Sequence, residues 1–159
     1  MSSQEIDRTD MAILYLLQEN ARNHTTEAIA EKVGVSSTTV GTRIRNMEEE
    51  GIIKGYNPVI NYERIGFDHH YVAICTVPLE THEEYTKEII ENVSGVVRVR
   101  KYLTTTQNLS VEIVSFNREK FEKSLGELID LGININRFEL VNSEESCPFN
   151  HFGKRFANG

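Results

Sequence analysis

Residues 25–51 read TTEAIAEKVGVSSTTVGTRIRNMEEEG, two short helical patterns separated by a tight turn, and this stretch decides the fold of the N-terminal part of the chain. Thr25 or Thr26 is placed to cap the first helix, and Ile29 and Val33 share one face at i and i+4. Gly34 falls where a left-handed helix ending is tolerated, and Ser36 is placed to cap a second helix after a short turn. On that second helix Val40, Ile44 and Met47 recur at i, i+4 and i+7. At about 100° per residue they form one buried stripe and aim Thr38, Thr42 and Arg45 the opposite way. Cap, turn and stripe together predict a helix-turn-helix, a unit shaped to enter a DNA groove.

The outward residues suit that role. Hydroxyls exchange hydrogen bonds with phosphates and base edges, Arg45 is able to clamp a guanine through two bonds, and the first-turn amides of a helix meet a phosphate readily. Ser37, Thr39, Arg43 and Asn46 flank the outward face and are expected on phosphates or neighbouring helices, and Lys54 adds a cation just beyond the helix. Gly41 is an oddity, because glycine inside a helix costs about 1 kcal/mol relative to alanine. The formal net charge of −7 is the main objection to double-stranded DNA as a partner. Phosphate attraction acts within about 8–10 Å, however, so Arg22, Arg43, Arg45 and Lys54 suffice for a local positive surface on an acidic body. The expectation is modest non-specific affinity and more than one DNA-binding unit per complex. The competing reading is an ordinary helical pair with a solvated polar face.

Upstream, Asp7 is placed to cap a helix with Ile13, Leu14 and Leu17 on one face, ending near Asn20. Downstream of Gly51 the run IIKGYNPVINYERIGF alternates poorly and holds Gly55, Pro58 and Gly66, which predicts a short hairpin or an extended linker. From residue 68 the period changes from helical to two. Strands are expected over 71–77, 96–104, 109–116 and 134–142, with helices over 83–93 and from Phe121 to a stop at Gly132. In the second strand Val97 and Val99 alternate with Arg98 and Arg100, and in the third Val111 and Ile113 face one way, the two strands forming a hairpin. The order strand, helix, strand, strand, helix, strand is the ferredoxin-like plan, with both helices on one face of an antiparallel sheet. The fold class is α+β. The expected segments are a helix-turn-helix domain over 1–54, a hinge over 55–67, a sensing and oligomerisation domain over 68–142 and a tail over 143–159. Apolar residues on the strands' uncovered face call for a cover, and a second copy of the chain is the economical one, which also pairs two recognition helices. The tail, rich in Phe, is expected to be a flexible end or to lay its aromatics on a neighbouring subunit.

No run of 18 apolar residues exists, and MSSQEIDRTD is not a secretory leader, so a cytoplasmic protein without membrane association is expected. Cys75 and Cys147 give no disulfide framework. Cys147 and His151 have ligand spacing, but structural zinc wants four ligands, so neither metal nor other cofactor is expected.

The segments IDRTDMAILYLLQENAR and IAEKVGVSSTTVGTRIRNMEEEGIIKGYNPVIN, with the order of strands and helices after them, resemble the leucine-responsive regulator/asparagine regulator (Lrp/AsnC) family of bacterial and archaeal transcription factors. The resemblance covers residues 5–142. It implies a winged helix-turn-helix, a hinge strand and a C-terminal domain that dimerises, assembles further into tetramers or octamers and in many members binds an amino-acid effector between dimers. This chain departs from the family between the second and third strands, where Thr104, Thr105, Thr106, Gln107 and Asn108 replace a Thr-Gly-Asp-Tyr-Asp-like turn. A backbone position with positive φ and a carboxylate for a ligand ammonium are expected to be lost. The five residues are thus candidates for another small-molecule effector or, preferably, a subunit contact.

An enzyme reading has a concrete form, since siroheme decarboxylases resemble this family in fold but carry histidines and aromatics on the second and third strands. Here that region, VVRVRKYLTTTQNLSVEIV, holds neither His nor Trp, and His69, His70 and His82 read as surface residues near the ends of other elements. No nucleophile triad, phosphate-cradling glycine loop or acidic metal cluster has credible spacing. A third reading keeps the sensor and gives up DNA. A DNA-binding regulator, not an enzyme, is the preferred expectation.

Overall fold

A computed structural model describes residues 5–145, 147–149 and 157. It comprises α1 (Arg8–Asn20), α2 (Thr26–Val33), α3 (Ser37–Glu49), β1 (His69–Thr76), α4 (His82–Asn92), β2 (Val96–Lys101), β3 (Leu109–Ser115), α5 (Arg118–Asp130) and β4 (Asn134–Leu140). Two compact units result, Met1–Pro58 with Glu145–Gly159, and Val59–Glu144.

The first unit is built by caps and one apolar core. Asp7 and Asp10 cap α1 reciprocally: the Asp7 carboxylate accepts from the Asp10 N–H at 2.9 Å and the Asp10 carboxylate accepts from the Asp7 N–H at 3.1 Å. Thr25, not Thr26, caps α2, and Ser36 caps α3. Between them Gly34, at φ 77°, ends α2 in the left-handed region and donates to Ala30 at 2.8 Å. Ala12, Ile13, Leu16, Ile29, Val40 and Met47 form the core, with Ile44 packed against it. Burying Val40 and Met47 stabilises the unit by roughly 1.5–3 kcal/mol each, which is what holds α3 in place.

Two of the described tail residues meet this core. Phe149 packs against this same core, its N–H donating to Gln18 at 3.3 Å, and Ala157 is buried within it. The reason is apolar area: a three-helix core this small gains from any Phe that its own chain can return to it. Between residues 51 and 68 the chain forms turns and irregular backbone, with a 3-10 turn at Glu63–Ile65 and no strand, so the hairpin alternative does not form.

In the second unit the sheet order is β2-β3-β1-β4 with all neighbours antiparallel, the ferredoxin-like arrangement. Ala73, Cys75, Val111 and Ile113 meet Ile89 of α4, Val93 just after it and Leu128 of α5 in one core. The simple alternation expected along β2 fails, because the register shifts between Val96 and Arg98. That bulge puts Val96 and Val99 against the core and leaves Val97 outside. Gly95 makes the bulge possible: its φ is 75°, and a Cβ there would lie 2.4 Å from the Val114 carbonyl oxygen.

The uncovered face also differs from expectation. It carries Val72, Ile74 and Val114 but is centred on Glu112, whose carboxylate pairs with His70 Nε2 at 2.8 Å, Arg98 at 3.3 Å and Arg100 at 3.5 Å. Arginine side chains folding over a central strand bury a polar row that period-two reading assigns to solvent.

Gly95→Ala is expected to lower stability by about 2–4 kcal/mol through strain and the carbonyl clash, read as a lower urea midpoint for the sheet unit with an unchanged m-value.

Candidate nucleic-acid interface

Helix α3 presents the residues that its sequence pattern aimed outward. Thr38, Thr42 and Arg45 are exposed, and Ser37, Thr39 and Asn46 are half-buried beside them. The N-terminus of α3 has its Thr39 amide satisfied by Ser36 Oγ at 3.1 Å, and the Thr39 hydroxyl lies 2.7 Å from the same oxygen. Thr39 thus belongs to the cap, and Ser37 and Thr38 carry the outer part of the first turn.

Of the two places expected for Arg43, phosphates or neighbouring helices, the structure shows the second. Its guanidinium turns inward and donates at 2.8 Å to both Asp7 and Asp10 at the start of α1, forming an internal ion pair. Asp10 is almost wholly buried, and a buried carboxylate without a cation is costly; that requirement outweighs the attraction of a distant phosphate. Partial burial pushes the Asp7 carboxyl up, but the Asp10 N–H and Arg43 outweigh it and hold Asp7 below the usual aspartate range. The hydrogen bond that Arg43 donates to Asp10 outweighs desolvation and pushes Arg43 up, which keeps it charged.

The role of Asp10 was missed although it left a trace. Asp10 precedes Ile13, Leu14 and Leu17 at helical spacing, so a carboxylate lies on the apolar stripe and demands a partner from another element. A second missed contact anchors the chain past α3. The Ile52 and Ile53 amides both donate to the Met47 carbonyl, Ile53 packs on the core, and the Tyr56 hydroxyl donates to Glu48 at 2.8 Å. Burial first, then Glu48, pushes the Tyr56 phenol up to about 12. Lys54 stands exposed between these two anchors. At Gly41 an added Cβ would meet only the Thr26 methyl, at 4.0 Å, so no close approach requires glycine there.

The loop between β2 and β3 is also revised. Asn108 is fully buried, its amide oxygen accepting from the Val77 N–H at 3.0 Å and its amide nitrogen donating to the Val77 carbonyl at 2.7 Å, so it braces β1 and is closed to a ligand. Thr105, at the family's glycine position, does not take a positive φ, as expected; Gln107, two residues on, does, at 50°. Gln107 accepts from Arg137 through its side chain and its N–H donates to Thr76 at 2.8 Å; these two bonds hold a non-glycine residue in the left-handed region. Thr104, Thr105 and Thr106 are exposed.

The histidines are not all surface groups. His70 pairs with Glu112, and His82 is buried with Nε2 unpartnered. Among the described residues no group of three or more His, Cys, Asp or Glu is placed to hold a metal; Cys147 is exposed, and His151 lies outside the described residues. No described helix is long and apolar enough to cross a membrane.

A capped helix pair with an exposed hydroxyl and arginine face, followed by a linker and a ferredoxin-like domain, defines the class of winged helix-turn-helix proteins, and the family description "winged helix-turn-helix DNA-binding" matches residues 6–54. The chain is 34% identical to the HTH-type transcriptional regulator LrpA of Pyrococcus horikoshii over 69% of its own length and 74% of that protein. It is 32% identical to an HTH-type transcriptional regulator of Methanocaldococcus jannaschii over 82% of its length and 86% of that protein. Its fold is that of LrpC from B. subtilis, at a TM-score of 0.71 and 19% identity with 90% and 99% of the two chains covered. It is likewise that of a feast or famine regulatory protein from M. tuberculosis complexed with L-methionine, at 0.76 and 18% with 93% and 99% covered. The chain belongs to the Lrp/AsnC family.

Two outcomes follow. Gly41→Ala should raise the melting temperature of the helical unit, by up to about 1 kcal/mol of stability, since the helix loses its glycine penalty and meets no clash. Because the folded pKa of Asp7 is depressed, its contribution is complete above the ordinary aspartate value near 3.8 and is lost as pH falls through the lower folded value. Acid titration followed by circular dichroism should therefore show wild type holding its helical unit to lower pH than Asp7→Asn, with the two curves parallel above about pH 5.

Proposed function

We propose that this protein is a sequence-specific DNA-binding transcriptional regulator that works as a dimer or larger assembly. The observation that carries the reading is the division of α3, with Val40 and Met47 buried and Thr38, Thr42 and Arg45 exposed on the opposite side. In this reading Thr38, Thr42 and Arg45 read base edges, Ser37 and Asn46 lie against phosphates, and Lys54 adds a sequence-independent phosphate contact. Residues 1–54 bind DNA, 55–67 link, and 68–142 join copies of the chain. The half-buried Val72 and Ile74, beside the ion pairs around Glu112, support reading this sheet face as a self-complementary interface. That arrangement supplies the second helix-turn-helix that an acidic protein needs: residues 5–58 themselves hold more carboxylates than cations, and Arg43 is neutralised internally. Thr104, Thr105, Thr106 and Gln107 remain the candidates for a subunit or effector contact. The tuberculosis relative is named with L-methionine, which makes a small-molecule effector the natural regulator. The relatives from P. horikoshii and M. jannaschii are named as transcriptional regulators, which supports a non-enzymatic regulatory role in the cytoplasm for this chain.

Binding to duplexes selected from a random pool should weaken steeply as salt rises; affinity that is absent at low salt, or indifferent to salt, would sink the regulator. Arg45→Ala should cost about 1–3 kcal/mol on the selected duplex and little on random DNA, whereas Lys54→Ala should weaken both similarly and reduce the salt slope by about one.

A further inference from the structure

We infer that Arg43 is a positioning residue for DNA recognition: clamped by Asp7 and Asp10, it fixes the rotation of α3 about its own axis and so decides which side chains face the groove. The inference rests on the regulator reading and adds to it a residue that acts without touching DNA.

The geometry supports a clamp for three reasons. Both carboxylates receive the same guanidinium nitrogen, each at 2.8 Å, and those carboxylates are themselves locked by the reciprocal cap at the start of α1. The clamp therefore ties the middle of α3 to a rigid point on another helix. Apolar packing anchors α3 at Val40 and Met47, both buried, but between them Ile44 is only half-buried and Gly41 contributes no side chain, so the middle of the helix is held less firmly by packing alone. Hydrophobic contact has no preferred direction, whereas a hydrogen-bonded ion pair does. Finally, Arg43 lies between Thr42 and Ile44 in sequence and two residues before Arg45, so a rotation of α3 that broke the clamp would carry Thr38, Thr42 and Arg45 off the groove together.

The test replaces charge without removing shape. Asp7→Asn/Asp10→Asn keeps two good helix-capping side chains and removes both charges that hold Arg43. Glu31→Gln/Glu49→Gln removes two exposed carboxylates elsewhere on the unit and controls for net charge. Each full-length variant is titrated with a wild-type-selected duplex and a scrambled duplex across a range of salt. The expected result is a loss of about tenfold in the ratio of selected to scrambled affinity for the Asn pair and for Arg43→Gln, with the Gln control unchanged. The salt slope of Arg43→Gln should equal that of wild type, and Arg43→Lys, which offers a point charge in place of a fork, should recover part of the ratio. Should Arg43→Gln destabilise the helical unit, Asp7→Asn alone, at a half-exposed carboxylate, gives the same reading with a smaller loss. If the Asn pair keeps wild-type selectivity, or if Arg43→Gln lowers the salt slope by about one as a lost phosphate contact would, the clamp is overturned. Failure of the wild-type chain to prefer any duplex overturns the regulator reading, and the clamp with it; selective wild type with equally selective variants overturns the clamp alone.

Discussion

A carboxylate taken out of water has to be matched, and in this protein that demand falls on Asp10. Its side chain is 2% exposed, and the fold answers it with the guanidinium of Arg43 from a helix far along the chain. Exchanging such a buried pair for apolar residues often costs nothing, but removing one partner costs about 3–5 kcal/mol. What a pair of this kind supplies is direction. Around it the three helices of the first unit take one arrangement, with a hydrophobic core that fixes distance and an ion pair that fixes orientation.

The sheet unit meets the same requirement at a second carboxylate. Glu112 lies on the central strand β3, every residue of which is buried, and His70, Arg98 and Arg100 converge on it from the strands at either side. Arg98 continues to Glu144 at 3.0 Å beyond β4. Glu144 is held below its ordinary value chiefly by that hydrogen bond. A face organised in this way is neither a bare apolar surface seeking cover nor a fully solvated one. Its few half-buried apolar residues, Val72 and Ile74, lie beside a charged network that satisfies itself within the sheet.

Local signals carried far in this sequence, and particular residues show how far. Thr25, Ser36 and Asp7 cap because their side chains reach amides within the same turn, so a window of four residues contains the whole interaction. Val40 and Met47 are buried because a helix repeats its faces at a fixed angle. The ferredoxin-like order is readable for a similar reason, since each strand and helix announces its own period. The β2 bulge was not readable: Arg98 and Arg100 do alternate, and only the approach of Gly95 to Val114 shows that the alternation is reset upstream of them. Asn108 read as an exposed loop residue open to a subunit or an effector because polarity at a turn usually means exposure, yet both ends of its amide are consumed by Val77, 31 residues away.

By itself, then, the chain's amino-acid order determined the helix-turn-helix, the exposed side of its second helix, the α+β plan and the family, all of which depend on caps, periods and turn residues that act over a few positions. Tertiary structure decided the direction of Arg43, the closure of Asn108, the reset of β2 and the return of Phe149 and Ala157 to the helical core. Each of these is settled by a partner distant in sequence, and a long flexible or amphipathic side chain carries no local mark of which of several distant partners it will meet. Charge neutralisation and burial are properties of the assembled neighbourhood, so they become definite only when the neighbourhood exists.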